Sequence, residues 1–436
     1  MKALSGFRDF IHQDAQLRLK MIQTIVQVYQ SFGFLPLQTP AIEHLSWLEG
    51  KGGEENERLI FKILKRGEKL KQALETQPEA ISEYGLRFDL TLPLARVVSN
   101  YRHEIQFPWK VFQVGPVWRA ERPQKGRWRE FIQCDVDIIG VEEWSAELEL
   151  IQAMSTVLSE LRIFGFELRV NDRRLIDAFA QFLKLAPDQA KQFAILLDKK
   201  DKLSQEEFYL KMEVLLGQKV SSGLSFLMER KLSLEDMKKF HEEATSGLIR
   251  FMEMLNTLEL PLEKIVFDPL LVRGMHYYTG LIFELVHPSA SYSFGGGGRY
   301  DQLIRPMQGP SMPACGFSLG FERLISLYHP PHDSMNVFMP VLLEKMRGVI
   351  LQLAHQFRKE RFSVEVYSGE ASLKNQLKYA SQKGFRWVLL VGEEEWKKGK
   401  FQLKDFKTHE MLFISKENWM EALKMKMQTS AGERSF

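Results

Sequence analysis

Cysteine is nearly missing from this chain: its 436 residues include two, Cys134 and Cys315. A disulfide scaffold would need more, and so would a four-thiolate zinc site, so a reducing compartment is expected. A dominant charge is missing too. Lys and Arg number 59 against 56 Asp and Glu, a formal +3, so any nucleic acid would be met by a local patch rather than by the whole chain. No run of about 18 uncharged apolar residues occurs, and the opening MKALSGFRDF lacks the apolar centre of a signal peptide. These absences predict a protein without membrane spans, working in the cytoplasm. There is no GxxxxGK[ST] loop and no GxGxxG after a strand, which disfavours P-loop and Rossmann nucleotide sites. HExxH is absent, and His103–Glu104 has no second His or Cys at ligand spacing, which disfavours a zinc site.

The apolar pattern is that of a two-part globular chain. Residues 14–32 set Ile22, Ile25, Val26 and Tyr29 on one helical face, and Gly33 stops the helix. In FLPLQTPAIE, Pro36 and Pro40 exclude a central strand and leave an edge or interface strand. Residues 106–140 read as a hairpin, with FPWKVFQVGPVWRAE and REFIQCDVDIIG flanking the basic loop RPQKGRW. From about 170 to 260 the pattern is helical and charged, as in an inserted subdomain. Strand signals return in IVFDPLLVRGMHYYTGLIFELVHP, followed by SFGGGGRYDQL and CGFSLGFERLISLY. After PPHDS (330–334) the texture becomes βαβαβ. The charge divides at the same point: residues 333–436 hold 18 Lys and Arg against 13 Asp and Glu, a surplus of +5, leaving −2 for residues 1–332.

Three segments carry chemistry. The loop 118–130 holds Arg119, Arg122, Lys125, Arg127 and Arg129 against Glu121 and Glu130. Guanidinium forks suit phosphate or carboxylate, although a solvated basic turn would look the same. In FIQCDVDIIG the two-residue period puts Gln133, Asp135 and Asp137 on one face and Ile132, Cys134, Val136 and Ile138 on the other. Acids and an amide beside an arginine loop can hold a zwitterion, amine to acid and carboxylate to arginine. The same period applied to FDLT (88–91) pairs Asp89 with Thr91. In LVRGMHYYTG, Arg273 precedes His276, Tyr277 and Tyr278. An arginine in an apolar strand needs a partner; the bland option is a structural pair with a core acid such as Asp268. Gly295 to Gly298, followed by Arg299, Tyr300 and Asp301, are either a flexible turn or a backbone that something approaches closely. The residues alone reach a cleft of arginines, acids and tyrosines.

These segments, in this order, resemble the class II aminoacyl-tRNA synthetases. SFGFLPLQTPAIE is similar to their motif 1, with Pro40 at the proline position; FQVGPVWRAERPQKGRWREFIQCDVDIIG is similar to motif 2, and SLGFERLISL to motif 3. LVRGMHYYTGLIFE and GGGRYDQL resemble the two signatures specific to the histidyl-tRNA synthetase family, and VEVYSGEASLKNQLKYASQKGFRWVLLVGEEE resembles its anticodon-binding domain. The resemblance implies an α+β fold. A class II antiparallel sheet of six strands with flanking helices would span about 1–325, with a helical insertion near 170–260. An α/β anticodon-binding domain would span 333–436.

The resemblance also implies an activity: histidine and ATP, with Mg2+, would give histidyl-adenylate, and the histidyl group would pass to tRNA(His). Arg273 and Arg119 would be the catalytic arginines. Arg119, Glu121, Arg127 and Arg323 would hold ATP. Asp89, Thr91 and Gln133 would take the α-amino group of histidine; Asp137 and Tyr278 would read the imidazole, with Tyr277 beside them and Tyr300 closing the pocket. The family is homodimeric through motif 1. His276 stands where the family commonly has Asp. The alternative is a synthetase-like regulatory subunit of ATP phosphoribosyltransferase, which keeps the fold without charging tRNA and typically lacks the anticodon domain.

Overall fold

A computed structural model describes residues 2–49, 57–123, 126–200, 203–217, 233–273, 277–290, 292–303, 311–329, 336–415 and 419. Lys125, Gly274, His276 and the PPHDS segment lie outside these residues. The chain forms two compact units, Met1–Tyr328 and His329–Phe436.

The first unit opens with the helix His12–Ser31, which buries Met21, Ile25, Val28 and Tyr29. Ile22 and Val26 pack partly buried against the same core. Gly33, at φ +78°, comes next after the capping residue Phe32 and supplies the backbone turn that ends the helix. Strand β1 (Leu35–Pro36) lies parallel to β5 (Trp109–Trp118) at the sheet edge, the position its proline allows. Between them, β2 (Ile42–His44), β3 (Lys62–Leu64) and β4 (Ser82–Leu86) make a small antiparallel sheet with β4 in the middle. β5 and β6 (Glu130–Ile139) form the hairpin the sequence predicts.

The sheet continues with β7 (Glu167–Asp172), β8 (Lys264–Phe267), β9 (Leu281–Val286), β10 (Gly295–Arg299) and β11 (Ala314–Gly320). Its order is β1-β5-β6-β11-β10-β9-β7-β8. The six strands from β5 to β7 in that order are antiparallel throughout, as expected. The two outer pairs, β1 with β5 and β7 with β8, are parallel. For β7 and β8 the cause is the long crossover that parallel pairing requires. That crossover holds the helices Arg173–Phe182, Pro187–Asp198, Gln205–Leu216, Leu234–Met237 and Glu242–Thr257. Behind the sheet, the helix Ser145–Glu160 buries Leu150, Ile151, Met154, Val157 and Leu158 completely.

The glycine run is strand β10, held between β9 and β11, and is not a turn. A Cβ on Gly297 would come within 2.0 Å of the Gly316 carbonyl oxygen, and one on Gly298 within 2.4 Å of that of Leu281. Backbone packing therefore excludes side chains there.

In the second unit, β12 (Asn336–Met339) pairs in parallel with β13 (Ser363–Val366) and β14 (Trp387–Leu390). The helices Arg347–Lys359 and Leu373–Gln382 make the crossovers. Two antiparallel strands not recognised in the sequence, β15 (Lys400–Asp405) and β16 (Met411–Ser415), complete the sheet. No described helix is long and apolar enough to cross a membrane.

Candidate active site

The cleft of the first unit is built on one face of β6. Its pleat turns Gln133, Asp135 and Asp137 into the cleft while Cys134, Val136 and Ile138 are buried in the core on the other side. β11 lies directly opposite, pairing Gln133 with Gly320, Asp135 with Ser318 and Asp137 with Gly316. The glycine opposite Asp137 makes room for it, since a Cβ there would fall 1.9 Å from Asp137 Oδ1. Tyr300, just after β10, donates its hydroxyl to Asp137 Oδ1 at 2.5 Å. Asp137 Oδ2 and Gln133 Oε1 are buried with no hydrogen-bond partner. Burial pushes the Asp137 carboxyl up to about 7, with the Tyr300 hydrogen bond opposing and Asp89 adding to the rise. Burial and then Asp137 push Asp135 well above the usual carboxylate range.

Asp89 and Thr91 both line the cleft, but by a route that the alternation assumed for FDLT gets wrong. Residues 87–90 are not a strand: the chain turns, and the helix Thr91–Tyr101 begins. Asp89 Oδ1 accepts from the Leu92 backbone N–H at 3.1 Å, so the carboxylate caps the helix. Pro93, early in that helix, fits a first turn where its missing N–H costs nothing. Asp89 Oδ2 is buried without a partner, and burial pushes the group up to about 6, against the Leu92 bond and the nearby Arg119 charge. The Tyr277 ring packs 4.8 Å from Tyr278 and 5.8 Å from Tyr300, closing this end of the cleft with aromatic walls.

Four arginines from three parts of the chain, two of them in the β5–β6 loop, converge on the rest of the cleft. Arg119 follows β5 and donates Nε to the Phe88 carbonyl at 3.1 Å, leaving the rest of its fork for the cavity. Arg127 in the hairpin loop pairs with Glu121 at 2.8 Å. Arg323, in the helix Phe321–Leu324, donates to the Ser293 carbonyl and stacks over Tyr292, 5.0 Å from the ring centre. Arg273 pairs with Glu284 of β9 at 2.7 Å, and its Nε is buried without a partner. The structural option tied Arg273 to Asp268; Asp268 is instead 3.7 Å from Arg169. Burial, followed by the like charges of Arg127, Arg273 and Arg119, pushes the Arg323 guanidinium below its ordinary value. Such a concentration of positive charge is costly unless an anion enters. Gly296 supports it, because a Cβ there would lie 2.5 Å from the Arg273 guanidinium carbon.

Not every loop cation serves the cleft. Arg129 donates to the Glu121 carbonyl at 3.0 Å, and its stem packs against Gly6. Glu284 and Ser318 were not singled out in the sequence. Glu284 lies 11 residues from Arg273 on the next strand, and Ser318 becomes visible only through its cross-strand partner Asp135. Among the described residues no group of three or more His, Cys, Asp and Glu side chains is placed to hold a metal ion.

One end of the cleft thus presents acids, an amide and tyrosines, and the other presents arginines, all on an antiparallel sheet with a basic hairpin loop. This is the arrangement of a class II aminoacyl-tRNA synthetase. A family model described as "Histidyl-tRNA synthetase" matches residues 6–324, and one described as "Anticodon binding domain" matches residues 337–426. The histidine–tRNA ligase of Christiangramia forsetii is 33% identical, over 96% of this chain and 98% of its own. That of Leifsonia xyli is 35% identical, over 88% and 94%. In fold, the chain is similar to the histidyl-tRNA synthetase of Nostoc sp. PCC 7120, with a TM-score of 0.83 and 24% identity over 98% of this chain and 99% of that one. The chain belongs to the histidyl-tRNA synthetase family.

Proposed function

We propose that this enzyme activates L-histidine with ATP and transfers the histidyl group to tRNA(His). The observation that carries the reading is the division of the cleft: acceptors left without partners at Asp89, Gln133 and Asp137, and a convergence of Arg119, Arg127, Arg273 and Arg323. The first end fits an ammonium and an imidazole, and the second fits a triphosphate.

The α-ammonium of histidine sits against Asp89, Thr91 and Gln133. The imidazole lies between Asp137 and Tyr278, with Tyr277 beside it and Tyr300 holding Asp137 in place. An imidazole offers a donor and an acceptor when neutral and two donors when charged, and a carboxylate with a tyrosine hydroxyl matches either form. ATP is the second substrate of the family. Its α-phosphate lies between Arg119 and Arg273, its distal phosphates reach Arg127 and Arg323, and Glu121 meets the adenine. Mg2+ enters on the ATP phosphates, as part of that substrate.

The histidine carboxylate oxygen attacks the α-phosphorus, the bond from that phosphorus to the bridging oxygen of the β-phosphate breaks, and pyrophosphate leaves. Negative charge grows on the α-phosphate oxygens between two guanidinium groups already in position, so catalysis comes from alignment and fixed positive charge. In the second step the terminal ribose hydroxyl of tRNA attacks the carbonyl carbon and AMP departs. The surplus of +5 in residues 333–436 gives the second unit the charge to contribute phosphate contacts with tRNA.

The edge strand β1 with its exposed Leu35 supports a homodimer through this edge. The setting is the cytoplasm. A Bacillus halodurans structure described as an ATP phosphoribosyltransferase regulatory subunit/histidyl-tRNA synthetase shares the fold (TM-score 0.71, 21% identity over 87% of this chain and 96% of that one). The match to an anticodon-binding domain over residues 337–426 favours the charging enzyme over that regulatory reading. Histidine-dependent ATP–pyrophosphate exchange tests the first step: exchange with histidine and none with other amino acids is expected, and no exchange with histidine would refute it.

A further inference from the structure

Asp135 takes no part in the proposed seating of histidine or ATP, although it is 3% exposed and lies on the same face of β6 as Gln133 and Asp137. Its carboxylate is tied to one specific neighbour. The Ser318 hydroxyl, directly across the ladder on β11, donates to Asp135 Oδ1 at 2.5 Å. The same Ser318 oxygen accepts from Gln133 Nε2 at 3.2 Å. The three groups form a chain running Gln133 to Ser318 to Asp135.

The chain has only one sense while Asp135 Oδ1 accepts from Ser318, the direction the structure shows. A serine hydroxyl carries one proton and a carboxylate can only accept, so the proton of Ser318 is committed to Asp135. The oxygen of Ser318 then has only lone pairs left for Gln133. The carboxamide must face it with NH2, which turns Oε1 away. Oε1 is found buried in the cleft wall with no partner, an arrangement that costs stability unless a donor arrives. A free carboxamide could turn over and present NH2 to the cavity instead; the Ser318–Asp135 pair removes that option.

The geometry points to Asp135 and Ser318 as positioning residues that fix the polarity of the Gln133 carboxamide, so that the site accepts a ligand bearing an ammonium group and discriminates against one without it. This rests on the proposed seating of the histidine α-ammonium against Gln133. The Asp135 charge is not aimed at an arginine: no ion pair joins it to a cation among the described residues, and Ser318 is its hydrogen-bonded partner. Burial beside Asp137 raises the cost of keeping Asp135 ionised, and the Ser318 bond and the Arg119 charge offset part of it.

The test uses the full chain and two competing ligands in ATP–pyrophosphate exchange. L-histidine has the ammonium; imidazolepropionate has the same ring and carboxylate but no amine. Ser318→Ala breaks the chain. Asp135→Asn keeps the shape but can donate to Ser318, which lets the sense of the chain reverse. Each should weaken L-histidine roughly 10-fold, the scale of one misplaced buried hydrogen bond, and leave the inhibition constant of imidazolepropionate near that of wild type. Ser318→Thr retains the hydroxyl and should restore histidine binding. Equal loss for both ligands would show a structural role and overturn the proposal. So would selective loss in Asp135→Asn with Ser318→Ala unaffected, which would mean that Asp135 meets the ammonium directly. Gln133→Leu separates the premise from the proposal. If it does not selectively weaken histidine, the ammonium is seated elsewhere and the proposal fails with that premise. If it does, the other two variants decide the proposal alone.

Discussion

Tyr300 donates its hydroxyl to Asp137 Oδ1 at 2.5 Å and leaves Asp137 Oδ2 buried without a partner. One carboxylate oxygen is thus used to hold the side chain, and the other is available to a ligand. Asp137→Asn keeps the shape while replacing the carboxylate by an amide. The expected result is a higher KM for histidine with the KM for ATP little changed, the signature of lost uniform binding. An unchanged KM for histidine would place the imidazole elsewhere.

The same residue makes stability depend on pH. Its folded-state value is pushed to about 7 from an ordinary value of 3.8. An acid raised in this way holds its proton in the folded chain after the unfolded chain has lost it, so stability falls as pH rises through that interval. Asp137→Asn removes the titration and should raise the melting temperature relative to wild type more at pH 8 than at pH 5. The full shift corresponds to on the order of 4 kcal/mol at most. A variant-minus-wild-type difference that is the same at both pH values would contradict the assignment.

Arg273 is held by Glu284 and carried on a segment separate from the hairpin that bears Arg119. Arg273→Lys retains a charge able to pair with Glu284, so the fold should persist. It cannot reproduce the planar fork. Adenylate formation in a pre-steady-state assay should slow by about 10²–10³, as when one preorganised donor to a developing charge is removed. A rate within a few-fold of wild type would show that Arg273 does not act on the α-phosphate.

The second unit predicts a difference between the two steps in salt. Phosphate contacts release counterions, so the KM for tRNA should rise steeply with ionic strength, while the KM for histidine, held in a buried pocket, should change little. Parallel changes in both would show that the basic surplus of residues 333–436 does not bind tRNA.

The parts of this site that were legible in the sequence are those governed by a local period. Alternation along FIQCDVDIIG put Gln133, Asp135 and Asp137 together, and the structure keeps them together because one face of β6 packs on the core. The same rule misled at FDLT, where the capping carboxylate of Asp89 and the proline two residues after Thr91 start a helix. The glycine run could not be read as a strand from propensity, since its conformation is imposed by the carbonyls of Leu281 and Gly316 on either side. Glu284 and Ser318 were hidden for a different reason: their partners are set by the order of strands in the sheet, which no local pattern contains. β15 had a readable alternation, with Phe401, Leu403 and Asp405 inward, but the exposed Lys400 and the half-buried Lys404 obscured it.

The most direct test of the account is single-turnover charging of tRNA(His) by the full chain, with labelled histidine and ATP. Label should enter tRNA(His), tRNAs for other amino acids should stay uncharged, and omitting ATP should abolish the signal. Adenylate formation or histidine binding without any transfer to tRNA(His), coupled with binding to an ATP phosphoribosyltransferase, would contradict it and identify the chain as a regulatory subunit.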